Sequence, residues 1–333
     1  SHAGILWNTL HQVHDLDIGV DESYLVVPSL SWGAGFHDVT LALTWLGGRN
    51  ELLPTGTATL ERIVDLLEEQ QFTRTLLVPT LLRDLLGKPE LTRRIAGTAL
   101  RRIMSGAEPL PASVTDPLAE AMPRAAITQT YGMTEFPMIA TVIQPEEAVT
   151  HAGKAGRPSS VCQLGVADED GVVRFEGAGE IVTRSPAGFL GYYNRPEENE
   201  RAFRDGWFHT GDTGFLDEDG FLTVTGRSKD MIITGGLNVY PREIEEVIQR
   251  VPGVAEVAVV GIPDERWGES ITAVVVARDD TLTSEIVMER CQQELSKFKC
   301  PRRVIISHTT LPKTVTGKIL KRQIRLDLAE VAG

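Results

Sequence analysis

Between residues 24 and 106, short apolar runs alternate with segments whose apolar residues repeat at helical spacing. Tyr24-Leu25-Val26-Val27-Pro28, Thr75-Leu76-Leu77-Val78-Pro79 and Arg101-Arg102-Ile103-Met104-Ser105-Gly106 read as buried strands. Between the first two, Leu60, Ile63, Val64 and Leu67 make the apolar stripe of a helix that Thr59 can cap. This alternation calls for an α/β unit with a mainly parallel sheet. Sheets of that kind take ligands beyond the carboxyl ends of their strands. Ser105-Gly106-Ala107-Glu108 and Thr130-Tyr131-Gly132-Met133-Thr134-Glu135 fall at two such ends.

The texture changes near residue 139. Segments shorten, glycines multiply, and helical periodicity is lost through residue 226, which predicts a small β-barrel or antiparallel sheet. Residues 215–224 read as a hairpin around an acidic Asp-Gly turn. A third style begins at residue 227. Pro241 suits the first position of a helix, Glu243, Glu245 and Glu246 favour its positive end, and Ile244, Val247, Ile248 and Val251 supply a buried face. Strands over 255–260 and 271–277 and a helix over 284–295 complete a small α+β domain. The expected parts are therefore 1–138, 139–226 and 227–333. At the start, Ser1-His2-Ala3-Gly4 runs straight into a helical pattern with Ile5, Leu6, Leu10 and Val13 on one face, as though the chain began mid-domain.

Composition narrows the function. A formal net charge of −13 over 333 residues argues against nucleic acid as the main partner. No apolar run approaches the roughly 20 residues of a membrane span. The three cysteines, Cys162, Cys291 and Cys300, form no Cys-x-x-Cys, so neither a disulfide framework nor a zinc site is expected, and a reducing cytoplasm fits best. Against the acidic background, residues 297–325 hold nine Lys or Arg and no Asp or Glu. Lys318 ends the turn Pro312-Lys313-Thr314-Val315-Thr316-Gly317-Lys318, where an ammonium could neutralise a phosphate or a carboxylate. A solvated basic tail is the alternative.

Other loops carry suitable chemistry. In Tyr131–Glu135, Thr134 could meet a phosphate oxygen, Glu135 a Mg²⁺ ion and Tyr131 a base; a plain surface loop is the competing reading. Asp212, in His209-Thr210-Gly211-Asp212, could receive a ribose diol or simply stabilise a turn. Arg227 could bond ribose or phosphate, or form a salt bridge between domains. Gly235 and Gly236 allow close approach of a slender ligand arm. Walker, Gly-x-Gly-x-x-Gly, Gly-x-Ser-x-Gly and His-Glu-x-x-His motifs are absent.

In order, Ser105-Gly106-Ala107-Glu108-Pro109, Tyr131–Glu135, Gly191-Tyr192-Tyr193-Asn194-Arg195-Pro196, residues 205–212, Gly226-Arg227 and residues 313–318 resemble the acyl-CoA synthetase branch of the adenylate-forming superfamily. That resemblance implies an α/β large domain with a β-rich part, followed by a small mobile domain. It implies ATP, Mg²⁺ and coenzyme A as cofactors, and acyl-AMP formation followed by thioester formation. By the family pattern, Lys318 stabilises charge in the adenylation step, with Thr134 and Glu135 beside it. Gly106, Ala107, Glu108, Tyr131, Gly132, Thr134, Asp212 and Arg227 bind nucleotide, and Glu135 binds the metal. Lys229 is the hinge, and Gly235, Gly236 and Asn238 approach CoA. Trp32, Gly33, Phe36 and Met133 line the acyl pocket.

Residues 234–245 and 259–269 resemble CoA ligases more than peptide synthetases, and no aspartate in the 30s is placed for an amino-acid ammonium. Two departures stand out. The family's Ser/Thr/Gly-rich phosphate loop is missing upstream of Ser1-His2, which implies a C-terminal portion with impaired adenylation. Trp32 also stands near where many relatives place histidine. The alternatives are an adenylation domain that loads a carrier protein, and a non-catalytic binder of nucleotide or acyl groups.

Overall fold

The computed structural model describes residues 1–54, 56–135, 138–313 and 319–332. It divides into two compact units: residues 1–210 with 214–224, and residues 211–213 with 225–333.

The first unit begins with the helix His2–Asp15, capped by the Ser1 hydroxyl, which accepts from Gly4 N. Seven strands follow: β1 (Ser23–Val26), β2 (Arg49–Leu52), β3 (Arg74–Leu76), β4 (Arg102–Ser105), β5 (Ala126–Tyr131), β6 (Thr141–Ile143) and β7 (Arg157–Pro158). They form one sheet in the order β2-β1-β3-β4-β5-β6-β7, in which β1 to β5 run parallel and β6 and β7 antiparallel. Helices Leu60–Gln70, Pro79–Leu86, Pro89–Ala96 and Ala112–Ala121 lie between the parallel strands. Both faces are covered, because alternate residues of one strand enter different cores. Leu25 packs with Ile63, Leu67 and Ile103, while Tyr24 and Val26 pack with Leu43, Leu76 and Met104. That two-sided burial makes the strands continuous apolar runs in the sequence. Thr59 caps its helix as expected, its hydroxyl accepting from Arg62 N.

A second, antiparallel sheet contains β8 (Gln163–Ala167), β9 (Val173–Arg174), β10 (Gly177–Arg184), β11 (Phe203–Arg204), β12 (Trp207–Leu216) and β13 (Leu222–Arg227). Of the two forms expected for this region, it takes the sheet. The hairpin turns at Asp217, whose Oδ1 accepts from Asp219 N and Phe221 N, and Gly220 adopts φ 80°.

The second unit is built on β14 (Ile232–Thr234), β15 (Leu237–Val239), β16 (Val254–Asp264), β17 (Gly268–Ala277) and β18 (Arg303–Ser307), in the order β15-β14-β17-β16 with β18 parallel to β17. Pro241 opens the helix Pro241–Gln249 as expected, burying Ile244, Val247 and Ile248 against Val257, Val259 and Val275. The opposite sheet face packs Ala258, Val260 and Val274 with Ile324.

Two features depart from what the apolar pattern alone suggests. The first helix turns its apolar residues outward: Ile5, Leu6 and Leu10 are exposed, and only Val13 joins a core. Its polar side is anchored instead. Asn8 Nδ2 donates to Ala187 O, Asn8 Oδ1 accepts from Met138 N, and Gln12 Oε1 accepts from Val39 N at 2.7 Å. Amide side chains that satisfy buried backbone groups hold that face in. Nor is the stretch before residue 226 free of helix. Pro196–Ala202 is helical, opened by Pro196 with Glu197 and Glu198 in the first turn. Seven residues with none buried leave no apolar period to read.

Candidate active site

The parallel sheet sets the first group of candidates. β4 and β5 are neighbours, with Ser105 opposite Gln129, so the loops that follow them emerge side by side. A Cβ on Gly106 would stand 2.9 Å from Thr130 Oγ1 and 3.1 Å from Thr130 O, so glycine lets the two loops touch. Ala107 takes φ 70°, which turns the chain sharply away. Glu108 reaches Arg83 at 3.2 Å, both exposed. Gly132 is exposed, but backbone blocks its Cβ direction: a Cβ would meet Met138 O at 1.9 Å.

The same region receives Gly33, from the short helix Gly33–Phe36. A Cβ on Gly33 would fall 2.1 Å from Met138 Cε and 3.5 Å from Thr134 Oγ1. One acyl candidate and one phosphate candidate therefore share a locality in the first unit, and Met138, not among the sequence candidates, lies against Gly33. Trp32 and Phe36 are partly exposed, and Phe36 meets the His37 ring edge-on at 5.1 Å. Met133 is half-buried.

Glu135 is held at two points. Its carbonyl accepts from Phe189 N at 2.9 Å, and its Oε1 accepts from the Tyr192 hydroxyl at 3.2 Å. Burial, and then the Glu135 charge, push the Tyr192 hydroxyl above its ordinary pKa, which keeps it a donor. Tyr192 belongs to the Gly191–Pro196 motif, and nothing in its sequence neighbourhood points to Glu135.

In the second unit, Asp212 and Arg227 meet directly: Arg227 Nε lies 3.1 Å from Asp212 Oδ1. Asp212 is largely buried and Arg227 half-exposed, so the guanidinium orients the carboxylate while keeping its own outer edge in solvent. A salt bridge at Arg227, one of its two expected readings, is therefore present, made within this unit. Lys229 is exposed in the turn Ser228–Asp230. Gly235 and Gly236, with φ 59° and 77°, form the two-residue loop between β14 and β15, where Thr234 pairs with Leu237. Two successive positive φ values are what a twisted hairpin demands. Gly235 N donates to Trp267 O, and a Cβ on Gly235 would sit 3.2 Å from the Trp267 ring. Asn238 is exposed opposite Ile233.

The basic run looks different in space. Lys299 pairs with Glu243, Lys313 with Glu256, Lys321 with Glu245 and Arg325 with Asp230. Four of the nine cations thus have carboxylate partners from distant sequence, which corrects the picture of an unneutralised basic stretch. Lys318 lies outside the described residues.

A parallel α/β sheet with paired loops at its carboxyl edge, and a smaller α+β unit with a glycine hairpin, define the adenylate-forming architecture. The sequence matches AMP-binding enzymes over residues 1–193 and the AMP-binding enzyme C-terminal domain over residues 243–318, and the chain belongs to that family. It is 40% identical over 248 residues to the long-chain-fatty-acid–CoA ligase FadD13 of Mycobacterium tuberculosis, covering 74% of this chain and 48% of that protein. With the indoleacetate–CoA ligase of Aromatoleum aromaticum it shares 34% identity over 328 residues, 98% of this chain and 63% of the relative. Among solved structures, ATP-bound MatB from Rhodopseudomonas palustris superposes with a TM-score of 0.90 at 31% identity, over all of this chain and 65% of that one. The chain thus spans about half to two thirds of the length of these relatives. Among the described residues no helix is long and apolar enough to cross a membrane.

Proposed function

We propose that the protein to which this sequence belongs is an ATP-dependent carboxylic acid:CoA ligase. In the first step an acid oxygen attacks the α-phosphorus of ATP, the bond to pyrophosphate breaks, and acyl-AMP forms. In the second, the CoA thiolate attacks the acyl carbonyl and AMP leaves with the bonding electrons. The observation that carries this reading is the convergence of Gly33, Thr134 and Met138 beside the touching β4 and β5 loops, within a chain of this family.

Each residue then has a task. Thr134 donates to a phosphate oxygen. Gly106, Ala107, Glu108, Tyr131 and Gly132 surround the base. Asp212 accepts from the ribose hydroxyls, steadied by Arg227, and Lys318 faces the charge that builds as the α-phosphorus is attacked. Lys229 is the hinge, Gly235, Gly236 and Asn238 admit the thiol arm, and Trp32, Gly33, Phe36 and Met133 contact the acyl group.

Glu135 suits a magnesium ion that arrives with the nucleotide. No group of three or more His, Cys, Asp or Glu able to hold a metal occurs among the described residues. A single oriented carboxylate could hold such an ion, which takes few protein ligands when it is bound together with substrate phosphates. Bound there, Mg²⁺ would offset phosphate charge. The three free cysteines suit a reducing compartment, and we place the reaction in the cytoplasm.

The direct test is pyrophosphate release with ATP, Mg²⁺ and a panel of carboxylic acids, followed by thioester formation on adding CoA. Release with acyl transfer to a carrier protein but not to CoA would replace the ligase with a carrier-loading enzyme. Absence of release with every acid would support a non-catalytic binder.

A further inference from the structure

The Gly191–Pro196 segment marks the family, yet none of its residues has a task in the reaction as set out above. Its construction is unusual for a surface loop. Asn199, in the helix Pro196–Ala202, grips the backbone of Tyr192 on both sides: Tyr192 N donates to Asn199 Oδ1 at 2.6 Å, and Asn199 Nδ2 donates to Tyr192 O at 2.9 Å. Gly191 makes this grip possible. It takes φ 127°, and a Cβ there would stand 2.9 Å from Asn199 Oδ1.

The ring of Tyr192 is fixed as well. It meets Phe189 edge-on with centroids 5.0 Å apart, and Phe189 in turn packs with Phe203 and Phe208 at 5.4 Å each. Phe189 N also donates to Glu135 O, so one aromatic residue touches both the tyrosine and the glutamate. The next residue, Tyr193, is 91% exposed, whereas Tyr192 is turned back so that its hydroxyl reaches Glu135 Oε1.

We propose that Tyr192 is a positioning residue for Glu135, held in place by Asn199 and Gly191, and that it sets the affinity of the nucleotide-borne divalent cation. This rests on the reading of Glu135 as the metal carboxylate. A free glutamate loses rotamer freedom when it captures an ion; one already held through Oε1 loses less, with Oε2 left for the metal. Outer hydrogen bonds of this kind change metal affinity by roughly 10-fold or more.

The test uses Mn²⁺ with ATP, followed by electron paramagnetic resonance of the bound ion, in the unsubstituted protein, Tyr192→Phe, Glu135→Gln and the double variant. Tyr192→Phe keeps the ring on Phe189 and removes only the donor. The expected result is Mn²⁺ binding weakened about 10-fold, with ATP affinity in EDTA unchanged and no further loss when Tyr192→Phe is added to Glu135→Gln. If Glu135→Gln weakens Mn²⁺ and Tyr192→Phe titrates like the unsubstituted protein, the positioning role is refuted while Glu135 keeps its metal. If Glu135→Gln also titrates normally, or the unsubstituted protein holds no Mn²⁺, the metal reading fails and takes the proposal with it. Should Tyr192→Phe not fold, Asn199→Asp tests the grip instead, because it keeps the acceptor for Tyr192 N and removes the donor to Tyr192 O; weakened Mn²⁺ binding is expected, and a titration like that of the unsubstituted protein would refute the positioning role.

Discussion

Replacing Asp38 with asparagine should make the first unit more stable, and increasingly so as the pH rises. Asp38 joins the helices Gly33–Phe36 and Thr40–Leu46 and is fully enclosed; burial pushes its carboxyl from the usual 3.8 up to about 8. Oδ1 has no hydrogen-bond partner among the described residues, and neither have the Tyr24 hydroxyl and Gln12 Nε2. Tyr24 feels the Asp38 charge, opposed by Arg74, whose guanidinium is itself bonded to Glu22. The sign follows from proton counting. Between pH 4 and 8 the unfolded chain has released the Asp38 proton and the folded chain retains it, so stability falls with rising pH and levels off above about 8. At about 1.4 kcal/mol per pH unit the limit is about 6 kcal/mol, and relaxation around the ionised group should leave a gain of about 2–3 kcal/mol for Asp38→Asn at pH 8. Urea unfolding of both proteins from pH 4 to 9, read by tryptophan fluorescence, measures the difference directly. Stability curves that run parallel across this range would show that Asp38 is already ionised in the folded protein, and the argument from burial would be wrong.

Three further outcomes follow from the site. Lys318→Ala should slow acyl-AMP formation by about 100-fold or more while leaving thiolysis of preformed acyl-AMP nearly intact, measured as separate half-reactions. Arg227→Ala should raise the KM for ATP about 10-fold with a smaller change in kcat, since it frees Asp212 to reorient; equal losses in both would contradict a binding role. Gly132→Ala forces a Cβ to within 1.9 Å of Met138 O, backbone that cannot step aside, and should cost more than about 2 kcal/mol in unfolding experiments or leave the protein insoluble.

What the sequence disclosed depended on how burial is distributed. β1, β3 and β4 were readable because residues such as Tyr24 and Leu25 enter opposite cores, leaving no polar interruption. The helix at Pro241 was readable from its own start signal and its apolar face. The inward side of the first helix was not legible, because Asn8 and Gln12 bury amides that complete distant backbone, an arrangement invisible to any rule that sends apolar residues inward. Loops at strand ends singled out Gly106 and Tyr131–Glu135, which stand at the ends of the neighbouring strands β4 and β5, but Met138 was not legible, since its place against Gly33 depends on a contact across about a hundred residues. Tyr192 escaped for the same reason: its target, Glu135, lies 57 positions away. The charge pattern misled most. Lys299, Lys313 and Lys321 look unopposed in order along the chain, and each finds a glutamate in the fold.

The loop at Gly235 and Gly236 has a practical meaning for anyone probing the proposed thiol-arm site. Its tip is bare peptide, and each L-amino acid installed there would have to tolerate a left-handed backbone, at a cost of about 1 kcal/mol apiece. A mutagenesis library centred on those two codons would therefore return mostly weakened proteins. Diversity is better spent on Asn238 and Trp267, the neighbouring side chains that give this edge of the small unit its chemical character.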